Sequence, residues 1–402
     1  MTSVASVHTF VAPTSGELVA RARELAPLLQ RNAPKGEANR RVEEESLLAL
    51  TKAGLLKVCT PRRYGGWEMN TRAMLDVSAA IAEADGGAAW VANLNNICCW
   101  LASLFPVKAQ DEVFGANPDA IVSGVLAPSA ASTKVAGGLR VTGKWYYNSG
   151  GWHAQWAVLG VPIVNDVGET IDQGLALIPM ADLEREDTWF VAGMKSSGSI
   201  GLIAKDVFIP SHRILSVPSA IEGDYPTEMR GQESFYRSAF VAILALILVG
   251  PQLGLGRAAL QYVRQKAGTR PISYTFFEKQ NASVAFQLQI AQAAMLIDTA
   301  HLHAYRAADD IDQAAVSGVY PDMIVRTRVR ADTGYVVEKI TQAIDLLLFA
   351  HGAGSFADSS PLQRIWRDSA VAARHAVVLP TVGYEVYGKA LLGVENNVTA
   401  LV

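Results

Sequence analysis

Residues 143 to 161 read GKWYYNSGGWHAQWAVLGV and set three tryptophans and two tyrosines around one Ser-Gly-Gly. Aromatic and β-branched side chains favour strands, and Asn148, Ser149, Gly150 and Gly151 interrupt them. The spacing therefore predicts strand, kink, strand. A lone hydroxyl among glycines and rings has two readings. In one, the segment is a hairpin covering an apolar core. In the other, a flat ligand lies against the strand and Ser149 addresses a polar atom on its edge.

Outward from this stretch, residues 119 to 215 break into short runs such as AIVSGVLA, GLRVTGKWYYN, AQWAVLGVPIV, GLALIPM and IAKDVFIP, separated by Gly, Pro, Asp and Asn. That texture predicts a β domain. Upstream, residues 14 to 54 and 71 to 115 carry apolar positions at helical spacing, with breaks at Pro61, Gly65, Gly66 and Asp85-Gly86-Gly87. Downstream, residues 230 to 400 are again helical, in long segments whose short breaks argue for an antiparallel bundle. The expected class is α+β with several domains: an N-terminal helical domain (1–117), a middle β-barrel or sandwich (118–222) and a C-terminal four-helix bundle (223–402).

The bulk numbers agree with a large buried core. Of 402 residues, half are hydrophobic and 18% charged, and the net charge is −3 without a basic block. A nucleic-acid partner needs clustered Lys and Arg, so none is expected. Three cysteines, Cys59, Cys98 and Cys99, suit a reducing cytoplasm better than a disulfide framework. No Cys/His spacing resembles a metal site, and the N-terminus lacks the pattern of a signal peptide. The longest apolar run, AFVAILALILV at 239 to 249, is too short for the roughly 20 residues of a membrane span. It reads as a helix buried on all sides.

Several motifs have bland readings. GLGRAA (254–259) fits Gly-x-Gly-x-x-Ala, but the dinucleotide fingerprint needs a βαβ unit and an acid about 20 positions on, where Tyr274 stands. Close helix packing is the better account. GSFADSS and SSGSIG contain no nucleophile elbow. His301 and His303 are two apart on a helix and cannot share a face as metal ligands. In PLQRIWRDSAVAARH, residues Arg364, Arg367 and Asp368 read as a surface ion network, and His375 reads as a structural histidine. AHGAGSF reads as a helix-ending loop with glycine at the cap.

Taken in order, AAWVANLNNICCWLASLFP, SGVLAP, GGLRVTGKWYYNSG, GMKSSGS, DVFIPSHRI and PLQRIWRD resemble the acyl-CoA dehydrogenase fold over nearly the whole chain. Within it they resemble the two-component flavin-dependent monooxygenases. The resemblance implies an oxygenase that takes FADH2 or FMNH2 from a separate flavin reductase. With O2 it hydroxylates a small indolic, phenolic or polycyclic molecule through a flavin C4a-hydroperoxide. It implies Ser149 beside flavin N5 with the aromatic wall of Trp145, Tyr147, Trp152 and Trp156 behind the ring. It further implies Leu126, Ser129 and Ser132 along the flavin, and Arg270, Gly352 and Gly354 at its phosphate or adenosine part across a subunit boundary. A homo-oligomer, tetramer or dimer, follows.

The same resemblance gives His375 the substrate-facing role, handling a proton near its ordinary pKa of about 6.5. Ser123 would hold a substrate polar group. Relatives place a second histidine where this chain has Cys98, which argues against a simple phenol as substrate. An acyl-CoA dehydrogenase is the first alternative, but its base glutamate is replaced by Ala376, and the next acid is Glu385. An amino-sugar N-oxygenase and a non-catalytic flavin-fold binding protein are the others.

Overall fold

The computed structural model describes residues 12–402; His8 and the N-terminal stretch read above lie outside the described residues. Six helices come first: α1 (Ser15–Glu24), α2 (Ala26–Asn39), α3 (Glu44–Lys52), α4 (Thr71–Ala82), α5 (Gly86–Ser103) and α6 (Val107–Phe114). Their starts are chemically specified. Thr14 and Glu17 form a reciprocal cap on α1. Asp85 accepts from the backbone N–H of Gly87 and Ala88 at 3.0 and 3.2 Å to start α5. The following β1 (Val122–Val125), β2 (Ala130–Val135), β3 (Gly138–Asn148), β4 (Trp156–Val164), β5 (Thr170–Pro179), β6 (Glu184–Glu186), β7 (Ile200–Pro210) and β8 (Ile214–Ser216) form two four-stranded sheets.

One sheet runs β1-β4-β5-β8, with β1 parallel to β4; the other runs β2-β3-β7-β6 and is antiparallel. The strands flanking Ser149 therefore lie in different sheets, and the hairpin reading is wrong. The Asn-Ser-Gly-Gly kink is the crossover between layers. Trp145 of β3 is fully buried and donates Nε1–H to Gly160 O of β4 at 2.8 Å, tying sheet to sheet. A buried tryptophan removes about 200 Å² from water, or about 5 kcal/mol as an upper bound. Trp145 thus belongs to the sandwich core and does not back a ligand.

The C-terminal half comprises α7 (Val217–Ile221), α8 (Phe240–Leu246), α9 (Val249–Lys266), α10 (Val284–Ser317), α11 (Met323–His351), α12 (Pro361–Ala372) and α13 (Pro380–Leu392). The glycines of GLGRAA lie in α9 at close approaches: a Cβ on Gly254 would meet Ala79 O at 2.1 Å, and one on Gly256 would meet Ile340 Cδ1 at 2.9 Å. Phe240–Lys266 is long and apolar enough to cross a bilayer, but 89% of its most apolar window is buried inside the protein.

Candidate active site

Ser149 follows β3 in a turn bounded by Tyr147 and Gly150, both at φ +70°. A non-glycine residue in the left-handed region stores about 1–3 kcal/mol of strain, a feature that clusters at functional sites. Neighbouring bonds hold the turn. Asn148 Nδ2 donates to Trp145 O at 2.8 Å, and Gly150 N–H donates to Ser197 O at 2.8 Å. Ser149 Oγ accepts from Trp90 Nε1–H at 3.1 Å and shares a hydrogen with Ser199 Oγ at 2.7 Å. Ser199 in turn pairs with Ser197 Oγ at 2.8 Å. All four side chains are buried. Trp90 and Ser199 reach Ser149 across 59 and 50 positions of chain, and Ser197 through Ser199, so SSGSIG, which fails as a nucleophile motif, serves instead as a support for Ser149.

Helical spacing puts Gly87, Val91, Leu94 and Cys98 on one face of α5. That face lies on the β domain. A Cβ on Gly87 would sit 1.9 Å from Ser196 Oγ, one on Gly150 3.0 Å from Val91 Cγ1, and one on Gly124 2.9 Å from Cys98 Sγ. Burial pushes the Cys98 thiol far up, so it stays protonated. Neighbours in a strand face opposite sides, so Gly124 and not Ser123 faces Cys98. Ser123 is buried in β1 with no partner for its hydroxyl.

His375 stands at the turn between α12 and α13, its ring centre 6.0 Å from that of Trp90. Trp90 thus touches Ser149 with its N–H and approaches His375 with its ring. Val377 N–H donates to His375 Nδ1 at 3.3 Å, which leaves the ring hydrogen on Nε2. The residue keeps open surface. Crowding by protein and then the Arg330 charge nonetheless hold the imidazole down at about 4. At neutral pH it is an uncharged donor, which displaces the expectation of a group titrating near 6.5. Ala376 follows it, and Glu385 is exposed on α13; among the described residues no carboxylate is hydrogen-bonded or ion-paired to His375.

The other flavin candidates form a strip. Leu126 O accepts from Gln173 Nε2 at 3.0 Å, and Ser129 O accepts from Lys144 N–H at 3.2 Å. Ser132 pairs with Val141, about 25 Å back along β3 from Ser149 at about 3.3 Å per residue. Its Oγ is buried without a partner. Tyr147 is 70% exposed and meets Trp189 edge-on at 6.1 Å. Trp152 lies against Gly198, and Trp156 lies under Arg213 at 5.0 Å, so the expected aromatic wall is dispersed.

A second group gathers Arg270, Gly352 and Gly354. Arg270 Nη1 donates to His351 Nε2 at 2.9 Å, and a Cβ on Gly354 would touch Arg270 Nη2 at 2.8 Å. Because Nε2 accepts, the His351 hydrogen lies on Nδ1, which is buried with no acceptor. Burial and then Arg270 hold this imidazole down at about 4. A guanidinium beside an unspent N–H suits an anionic group such as a phosphate. The unpartnered Ser132 hydroxyl and Ser149 along one strand, and separately this anion seat, are the kinds of polar group that a flavin's chain, ring and phosphate require.

Arg367 and Asp368 are not a surface network. Asp368 is buried and accepts from Met194 N–H at 2.6 Å. Arg367 pairs with Glu37 and donates to Ala192 O. A Cβ on Gly193 would sit 2.1 Å from Arg367 O, so α12 clamps the loop that carries Ser197 and Ser199. A separate cavity of about 150 Å³, lined by residues including Cys59, Glu68, Trp100 and Asp312, contains none of these side chains. Asp312 caps α4 there through Thr71 and Arg72 N–H.

Comparison with known proteins gives two family matches: "Acyl-CoA dehydrogenase, N-terminal domain" over residues 17–114 and "Acyl-CoA dehydrogenase, C-terminal domain" over residues 246–380. The chain is 31% identical over 369 residues to the flavin-dependent monooxygenase oxygenase subunit HsaA of Rhodococcus jostii, covering 92% of this chain and 96% of that protein. It is 28% identical to the oxygenase component of p-hydroxyphenylacetate 3-hydroxylase of Acinetobacter baumannii, covering 98% and 93%. Among solved structures, XiaF from a Streptomyces species, in complex with FADH2 and glycerol, superposes with a TM-score of 0.91. It shares 36% identity over 96% of this chain and 97% of that one.

Proposed function

We propose that this chain, which belongs to the acyl-CoA dehydrogenase family and within it to the flavin-dependent monooxygenase oxygenase subunits, hydroxylates a small aromatic molecule with dioxygen and FADH2. A separate reductase supplies the reduced flavin. FADH2 is favoured over FMNH2 by the length of the strip from Ser149 to Ser132 and by the cofactor of XiaF. The observation that carries the reading is the constellation of buried Ser149 and Trp90 with the open His375 between β domain and bundle, with no carboxylate among the described residues of the turn after α12.

Bound reduced flavin supplies the redox chemistry, activating dioxygen and delivering one oxygen atom to an aromatic carbon. The chain's own residues bind and orient. Ser149 would hold the flavin ring by a hydrogen bond. Ser132 would lie along its chain, and the Arg270–His351 seat would take a phosphate of a neighbouring copy's flavin. His375 offers its Nε2–H to the substrate, and the buried faces of α5 and β1 keep water out. Ser123 is assigned to the apolar layer behind β1.

The test is oxygen uptake and product analysis with an unrelated flavin reductase and a panel of phenols and indoles. Hydroxylated product only with reduced flavin is expected. Reduction of bound FAD by an acyl thioester, without oxygen insertion, would replace this reading with the dehydrogenase one. The three cysteines are free and buried, which suits a cytoplasmic location.

The Arg270 seat is assigned to the flavin of a neighbouring copy in a homo-oligomer, a tetramer. Leu288, Met295 and Leu302 on α10, Phe349 on α11 and the projecting Tyr274 and Phe276 are exposed apolar side chains that such an assembly would cover. Light scattering should return about four times 43.1 kDa, and a monomer would remove this assignment.

A further inference from the structure

We propose that the cavity beside the C-terminal end of α5 is a second binding site, one that takes a small alkylammonium ion. It stands apart from the Ser149 site. Trp100, in its wall, is ten residues along α5 from Trp90, or about 15 Å at 1.5 Å per residue. Its volume of about 150 Å³ leaves room for an amine of a few carbon atoms.

The wall carries two half-buried acids. Glu68 precedes α4 at φ +49°, a left-handed conformation that costs a non-glycine residue energy, and accepts from Arg62 N–H at 2.9 Å. Asp312 of α10 accepts from the backbone N–H groups of Thr71 and Arg72 at 2.9 and 3.1 Å. Neither carboxylate has an ion-pair partner among the described residues, and the Arg72 side chain pairs instead with Asp76 and Asp309. Burial raises both carboxyls above their ordinary values, and an ammonium group beside them would draw them back down.

Ser238 points to a ligand independently. It is 6% exposed and lines the same cavity. Its carbonyl accepts from the Tyr225 hydroxyl at 2.7 Å, but its own hydroxyl has no hydrogen-bond partner among the described residues. A buried hydroxyl left in that state is costly, and an ammonium N–H would satisfy it.

The rest of the wall selects among cations. Trp100 Nε1–H is spent on Phe235 O at 3.0 Å, so the indole has only its carbon surface to offer a ligand. Aromatic surface beside carboxylates suits an ammonium that carries an alkyl group, through cation–π attraction and burial of the chain. A divalent metal ion would need about six oxygen ligands, and no group of three or more His, Cys, Asp or Glu is placed to hold one among the described residues. An anion would meet two like charges. The Cys59 thiol, pushed well up by burial, stays protonated and adds no charge.

The test is calorimetric titration of the flavin-loaded protein with butylammonium chloride, with 1-butanol and sodium butyrate as controls. One amine per chain should bind, about tenfold or more tighter than the alcohol, and butyrate should not bind. Glu68→Gln should weaken the amine about tenfold and leave flavin affinity unchanged. Ser238→Ala should weaken it by a smaller factor. Asp312→Asn should act like Glu68→Gln; because Asp312 also caps α4, the Glu68 variant decides if that protein does not fold. Equal affinity for amine and alcohol overturns the proposal. So does amine binding that Glu68→Gln leaves intact, no amine binding at all, or saturation by magnesium chloride in the amine's place. Flavin binding is scored separately by fluorescence, so the flavin reading does not fall with the amine.

Discussion

Ser149→Ala should send about ten to a hundred times more of the consumed oxygen to hydrogen peroxide per molecule of product. The hydroxyl is the one polar group that β3 presents at the proposed flavin nitrogen, and it is held from two sides by Trp90 and Ser199. Its loss removes a contact to the cofactor. It also leaves Trp90 Nε1–H buried without an acceptor, a defect of about 1–3 kcal/mol. Flavin affinity should fall about tenfold, and the unfolding midpoint should drop with it. Ser149→Thr should recover part of each. A peroxide-to-product ratio equal to that of the wild type would remove Ser149 from the flavin contact.

Asp368→Asn should make the protein more stable at pH 8 and leave it nearly unchanged at pH 5. Burial, then the nearby carboxyls of Asp85 and Glu37, push Asp368 up to about 7, against the pull of Met194 N–H and Arg364. The folded protein therefore retains a proton that the unfolded chain releases near 4. Stability falls as pH rises between these values and is flat above them. A carboxyl held at about 7 corresponds to about 4 kcal/mol as an upper bound. Asparagine accepts from Met194 without a charge, so the variant loses this slope. The measurement is the thermal midpoint of both proteins at pH 5 and pH 8. Equal pH dependence in the two would show that Asp368 ionises normally.

The layers of the fold were legible because period-two runs between residues 122 and 216 contrast with the long 3.6-period segments on either side. Strand partnership was not. The stretch around Ser149 looks like a hairpin locally, yet β3 and β4 pair in separate sheets, β3 with β7 far along the chain and β4 with the next strand, β5. Trp145 and Tyr147 share a parity that would place them on one face. The positive φ of Tyr147 and the register shift between Trp145 and Asn148 break the pleat, leaving one fully buried and the other 70% exposed. Ser149 could be read from its neighbours alone. Trp90 and Ser199 could not, since they meet it across 59 and 50 positions. Arg367 and Asp368 misled because helical spacing describes only partners on the same helix, and theirs come from α2 and the loop before β7.

The burial of α8 and α9 has a consequence for synthesis. Phe240–Lys266 packs against α4, already synthesised, and against α10 and α11, which leave the ribosome after it. For the time taken to translate about a hundred more residues, the α10- and α11-facing side of a segment as greasy as a bilayer anchor stays open. Slower elongation should therefore lower the soluble yield of the wild type more than that of a variant with a charged residue on the α10-facing side of this segment, read by the soluble fraction after expression.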